Sequence, residues 1–154
     1  TEIVSGHERV WESQTTALSR AAQGEGEKQS ARPIEPITVE RSIDWRLPED
    51  LGRKYGTISG DKNPIHLFAW SAKLFGFKRH IIHGMWLLAR AISELDEDIG
   101  KGPVQVDIDF IRPVFLPGSV LFESGQSGPD IGFGMSNPKN GKTHAQGLIR
   151  KLDA

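Results

Sequence analysis

Cysteine is absent from the 154 residues, which excludes disulfides, thiolate nucleophiles and cysteine metal sites. No apolar run approaches the ~18 residues that span a bilayer. Neither sign of charge dominates, since 19 basic and 20 acidic residues leave a net charge of −1. So even a balance gives no broad attraction for nucleic acid or an anionic membrane, and neither is an expected partner. The opening Thr1-Glu2-Ile3-Val4 lacks methionine and a signal-peptide pattern, and a cytoplasmic location is expected. There is no Gly-x-Ser-x-Gly elbow, and Gly56, Gly60 and Gly76 form no phosphate-binding fingerprint.

What is present is enough apolar sequence, 37%, for one domain-sized core, punctuated by 17 glycines and 9 prolines. The chain is organised around residues 55–85, YGTISGDKNPIHLFAWSAKLFGFKRHIIHGM. In its middle, Asp61 and His66 flank a bend. Gly60 turns without a Cβ penalty, and Pro64 fixes φ and keeps Asn63 out of the helical region. Pro64 suits the first turn of a helix, with Asn63 or Asp61 near the N-cap. A carboxylate and an imidazole facing one another, with backbone amides at a helix start, are the parts needed to move protons beside a carbonyl. Gly84 supplies such a start, because its amide can approach a ligand closely and a helix N-terminus carries partial positive charge. The bland readings differ: Asp61 as a cap, His66 as a satisfied helix histidine, and His83 as a first-turn residue packed under the bend. Asn63 is expected to brace the bend, and Tyr55 and Ser59 to support it. Asp61, His66, His80 and His83 are of types that suit zinc, yet no two histidines share a helix at a familiar ligand spacing, so no metal is expected.

In chain order, residues 7–19 read as a short strand and 21–36 as a mobile linker too polar to offset its ordering entropy. Residues 37–45 alternate as an amphipathic strand, apart from Arg41. A helix is expected over 47–57, another over 66–75 and a third, apolar nearly all round, over 81–95. A helix of that kind belongs inside a fold. Residues 96–103 form a turn cluster, and strands follow at 104–110, 120–123, 131–135 and 143–152. Pro113 and Pro117 mark a bend between two of them. Lys62, Lys73, Lys78, Arg79 and His80 cluster around the bend, either as a solvated face or to meet phosphates.

Ser-Gly-Asp-Lys-Asn-Pro-Ile-His at 59–66, Ile-Ile-His-Gly-Met at 81–85 and Phe-Ile-Arg-Pro-Val-Phe-Leu-Pro-Gly at 110–118 resemble landmarks of the MaoC-like (R)-specific enoyl-CoA hydratases. The likeness runs over residues 37–152. It implies an α+β hotdog fold, a curved antiparallel sheet wrapped around one long buried helix. It implies that Asp61 and His66 orient one water and exchange its proton, while the Gly84 N–H receives a thioester carbonyl oxygen. Ser59, Asn63 and His83 join Gly84 as candidate substrate-side residues. No cofactor is expected beyond coenzyme A or an acyl carrier protein as the thiol part of the substrate. The expected activity is reversible hydration of trans-2-enoyl thioesters, a hydro-lyase reaction of fatty acid metabolism.

Some proteins of this kind carry two hotdog halves. Residues 1–36 are similar to the last strand of a first half and its linker, with residues 37–154 as the catalytic half; the alternative is an ordinary N-terminal extension. A homodimer, or a pairing with a separate N-terminal half, is therefore expected. The acyl tail is expected in a tunnel capped by Trp70, Phe75, Phe77 and Trp86. Two other readings stand beside the hydratase: a non-catalytic thioester-binding or assembly subunit, and an acyl thioesterase.

Overall fold

The computed structural model describes residues 1–15 and 36–152. The chain divides into two compact units, Thr1–Ser30 and Ala31–Ala154. In the first, β1 (Glu2–Ser5) and β2 (Glu8–Glu12) pair antiparallel as a hairpin. A single strand is expected there from sequence, so β1 is an addition. Gly6, at φ 64, makes the reversal possible. The expected linker, apart from Pro36, lies outside the described residues, as does the end of the expected 7–19 strand.

The second unit begins with β3 (Thr38–Leu47). Four helices then lead to the middle of the chain: α1 (Leu51–Ser59), α2 (Pro64–Leu67), α3 (Ala69–Leu74) and α4 (Gly84–Glu94). A short α5 (Asp96–Ile99) stands inside the expected turn cluster. Then come β4 (Val104–Phe110), β5 (Gly118–Ser127), β6 (Asp130–Ser136) and β7 (Thr143–Lys151). The five strands form one antiparallel sheet in the order β3-β5-β6-β7-β4. This is the α+β hotdog architecture that the sequence resemblance implies. Among the described residues, no helix is long and apolar enough to cross a membrane.

The core forms where α4 meets one face of the sheet. Leu87, Ala91 and Leu95 pack with Trp45, Val120, Phe122, Phe133, Met135 and Ile149. Trp45 stacks on Phe122 at 4.7 Å, and Phe133 lies 6.4 Å from Phe122. Truncating the fully buried Phe133 to alanine removes the ring in the middle of this layer. We expect Phe133→Ala to cost ~3–5 kcal/mol in denaturant unfolding; a loss under ~1 kcal/mol would mean the layer is not the core.

Arg41, out of place in the apolar alternation of β3, has a structural task. Its guanidinium donates to the Glu94 carbonyl at the C-terminus of α4 and pairs with Asp98 of α5 at 2.8 Å. A cation there opposes the negative end of the helix dipole.

Three helix expectations need correction. The helix expected over 47–57 begins only at Leu51, since Leu47 ends β3 and Asp50 is the N-cap. The single helix over 66–75 is broken, because Phe68 adopts an extended conformation (φ −141, ψ 151) between α2 and α3. The Ser71 hydroxyl donates to the Pro64 carbonyl at 2.7 Å and sits 3.0 Å from that of Phe68. This local side-chain bonding competes with a continuous helical ladder. The central helix is shorter than expected at its start, since Ile81 bridges to Phe115 as extended chain. It is also not buried all round: Met85 is 55% exposed in this single chain.

Candidate active site

The bend is fixed from both ends. Gly60, left-handed at φ 78, stops α1, and Asn63 caps α2 by accepting the Ile65 N–H at 3.3 Å. Asn63 itself is non-helical (φ −56, ψ 128), as expected before Pro64. Between them, the Asp61 N–H donates to Ser59 Oγ at 3.2 Å, and Ser59 Oγ donates to the Tyr55 carbonyl at 3.0 Å. Asp61 Oδ1 accepts the Asn63 N–H at 3.1 Å. Ser59 and Asn63 thus hold the turn, while the Asp61 side chain stays 54% exposed.

His66 and His83 are both buried, and their rings stack with centroids 3.7 Å apart. His66 Nδ1 lies 2.8 Å from the Ile81 carbonyl. A carbonyl only accepts, so Nδ1 carries the proton and Nε2 holds the lone pair. His83 is the N-cap residue of α4, and its Nε2–H donates to the Asp61 carbonyl at 3.0 Å. Burial pushes the His66 imidazole below its ordinary pKa. The Ile81 carbonyl works against this shift, His83 reinforces it and Asp61 opposes it.

A cavity of about 210 Å³ opens beside these rings, with His66, Gly84, Leu87, Phe110, Arg112 and Val114 in its wall. The sequence-predicted imidazole and glycine therefore share one space. Gly84 is the first residue of α4, and the amide of a first helical residue has no intrahelical acceptor. A Cβ at Gly84 would stand 3.1–3.3 Å from the Phe110 ring. Trp70, Phe75, Phe77 and Trp86, expected to cap the acyl tunnel, do not line this cavity. The break at Phe68 separates α3 from the site, and Trp70 and Phe75 stay exposed. His80 is likewise not part of a surface cluster: it is buried, and its Nε2 meets the Glu49 carbonyl at 2.8 Å. A second cavity, between Asp98, Gln126 and Lys151, has none of the motif residues in its lining.

Asp61, His66 and His83 each offer one possible ligand atom, all within 4.8 Å of one another among the described residues. His80 stands outside this group. Two rings stacked 24° from parallel aim their lone pairs along neighbouring planes rather than at one point. An ion needs ~2.0–2.1 Å to each nitrogen along its lone pair, which this stacking does not suit.

Sequence reasoning missed what lies under the bend. A Cβ at Gly52 would sit 2.1 Å from the His66 carbonyl oxygen, and one at Gly56 would sit 2.7 Å from that of Asp61. Helix α1 therefore presents two glycines, one turn apart, to the backbone of His66 and Asp61. The signal was a Gly-x-x-x-Gly spacing in an amphipathic helix. Arg112 and Phe110 as cavity walls were also missed, although the 110–118 landmark contained them.

Fold and site together define a hotdog domain whose bend brings a carboxylate and an imidazole to the mouth of its central helix. Residues 21–147 match the family model described as the MaoC like domain, and the chain belongs to that family. A similar relative is 3-hydroxyacyl-thioester dehydratase X of Mycobacterium tuberculosis, 28% identical over an alignment of 155 positions that covers 99% of this chain and 54% of the relative. Dehydratase Y of the same organism is 33% identical over an alignment of 121 positions that covers 73% of this chain and 41% of the relative. The chain thus spans about half the length of these relatives. The crystal structure of HtdX from M. tuberculosis superposes with a TM-score of 0.71 at 26% identity, over 98% of this chain and 60% of that one. The (R)-hydratase of A. caviae involved in PHA biosynthesis shares the fold at 24% identity and a TM-score of 0.59, over 79% of this chain and 100% of its own.

Proposed function

We propose that this domain catalyses the reversible hydration of trans-2-enoyl thioesters to (R)-3-hydroxyacyl thioesters. The observation that carries the reading is that His66 and Gly84 border one cavity, with the Asp61 carboxylate beside the imidazole. The cavity is smaller than the ~300–1,000 Å³ of a whole-ligand pocket, so it would take the reacting end of the substrate. The names of the two mycobacterial relatives favour the same class of substrate.

In this mechanism the Gly84 N–H donates to the thioester oxygen, which polarises the enone and stabilises the negative charge that develops as C3 is attacked. One such donor is worth ~3 kcal/mol in the transition state. A water between Asp61 and His66 adds its oxygen to C3 and gives up a proton to the pair. A proton then returns to C2, and the reverse sequence expels water from the 3-hydroxyacyl thioester. The R configuration is what the motif resemblance implies. The thiol carrier is coenzyme A or an acyl carrier protein.

The domain is further proposed to work against a second hotdog, either a copy of itself or a separate half. Met85, Phe110 and Ile111 are exposed apolar residues at or beside the cavity, and β4 is an edge strand. Edge strands of this kind are a liability unless paired. Within this reading residues 37–154 form the catalytic unit, and the residues before them belong to a preceding one.

Crotonyl-CoA tests the chemistry: absorbance of the enone band is followed while free thiol is measured in parallel. Enone loss without thiol is expected. Thiol release would make the protein a thioesterase, and neither signal from an intact dimer would favour a binding subunit.

The pH profile follows from His66. As a base it must be unprotonated, and its pKa is lowered from 6.5, chiefly by burial. Activity should persist as pH falls through 6.5 and decline only below it. An acid limb of kcat/KM centred above 6.5 would contradict the assignment.

A further inference from the structure

His83 is a buried titratable group, in contact with the site, for which the hydration chemistry has no use. It is 3% exposed, its Nε2–H is spent on the Asp61 carbonyl, and its Nδ1 is buried without a partner. One ring face stacks on His66 at 3.7 Å, and the Tyr55 ring packs against it edge-on at 5.0 Å. With Nδ1 enclosed and Nε2 engaged, the ring has no free atom to offer a substrate. It nevertheless touches both residues assigned to the water, one through a hydrogen bond and the other through its face.

We infer that His83 is a positioning residue, one side chain that sets the separation of Asp61 from His66 by holding the main chain of the first and the ring plane of the second. The inference rests on the hydratase reading for its kinetic consequence, but its geometric content stands apart from it. The contacts at Gly52 and Gly56 fix the same two residues from below, and His83 fixes them from the side of α4. Since His83 is followed directly by Gly84, the same few atoms tie the water-activating pair to the amide that would receive the carbonyl.

The environment of the His66 ring is otherwise simple. Asp61 comes from the bend, Tyr55 from α1 beyond His83, Arg112 from the cavity wall, and Arg53 of α1 donates to the neighbouring Leu67 carbonyl. His83 is the group among these in face-to-face contact, and it acts on His66 in the direction that disfavours the charged imidazole. Removing it while keeping the burial should therefore raise the midpoint at which His66 titrates.

The test uses His83→Phe, which keeps an aromatic face and loses the donor, and His83→Gln, which keeps a donor and loses the ring. For His83→Phe, folded by circular dichroism, we expect kcat to fall ~10–100-fold, the scale of a misplacement near 1 Å, with KM close to that of the parent. Histidine-selective 15N NMR should show the His66 midpoint moving to higher pH. His83→Gln should regain part of kcat by restoring the bond to Asp61. Parent-like kcat and an unmoved His66 midpoint in His83→Phe would overturn the inference, as would a loss confined to KM. Should His83→Phe fail to fold, kcat of His83→Gln decides, since a parent-like value without the stacked ring would overturn the inference. A parent protein inactive on every thioester would sink the hydratase reading, while the NMR midpoints would still decide the role of His83.

Discussion

Asp61→Asn is expected to give a folded protein whose hydratase turnover is lower by ~10²–10⁴-fold, the usual span for removing a general base. The substitution is nearly isosteric, and Asn retains the oxygen that accepts the Asn63 N–H at 3.1 Å, so the bend should survive. The side chain is half exposed, and no core contact is lost. Stability should stay within ~0.5 kcal/mol, as at other exposed positions. What disappears is the carboxylate that, in the proposed mechanism, shares with His66 the proton of the attacking water. The loss should fall on kcat rather than KM, because the group acts as the proton moves. Steady-state kinetics on crotonyl-CoA, with thermal unfolding as control, check both halves. Turnover like the parent's would reduce Asp61 to a turn residue.

Gly52→Ala is the other large effect, and its sign runs against helix propensity. Alanine in the first turn of α1 would ordinarily gain up to ~1 kcal/mol over glycine. Here its Cβ would lie 2.1 Å from the His66 carbonyl oxygen and 3.1 Å from the carbonyl carbon. Both are backbone atoms, so no side-chain rotation relieves the clash, and α1 must move away from α2. Overpacking of this kind costs ~1–3 kcal/mol, and a shift of His66 near 1 Å costs ~10²-fold in rate. We expect Gly52→Ala to lower both Tm and kcat. Gly56→Ala, whose Cβ would be 2.7 Å from the Asp61 carbonyl oxygen, should do the same more mildly. A Gly52→Ala protein as stable and as active as the parent would show that the two helices have room between them.

These two substitutions also mark where the sequence was legible. The bend could be read residue by residue, because Gly60, Asn63 and Pro64 each act through their own backbone preference. All three do in the structure what local chemistry dictates: a left-handed stop, an N-cap and a first helical residue. The first strand after α4 was legible for the same reason, since the clean alternation at 104–110 reports a face directly, while the pattern at 131–135 is weaker. The glycines of α1 were not, because a close approach depends on what packs from elsewhere in the chain. Nothing in 51–59 says that the His66 and Asp61 carbonyls lie against it.

The helices were over-read for a related reason. Leu67, Trp70 and Leu74 suggest helical periodicity, but period cannot register that Ser71 binds the Pro64 carbonyl and helps interrupt the ladder. The apolar surface of α4 was taken as a sign of complete burial. In a single chain, part of it, at Met85, instead faces outward. In the proposed pairing with a second hotdog that exposed part of α4 would be covered.

One geometry carries the proposed hydration: a water position shared by Asp61 and His66, opposite the amide of Gly84. The most direct measurement is a crystal structure of the protein with a 3-hydroxyacyl thioester bound, its hydroxyl standing where the water would. We predict that hydroxyl within hydrogen-bond reach of both His66 Nε2 and the Asp61 carboxylate, and the thioester oxygen ~2.7–3.1 Å from the Gly84 nitrogen. A ligand whose hydroxyl reaches neither side chain, or whose carbonyl lies away from the start of α4, would contradict the account.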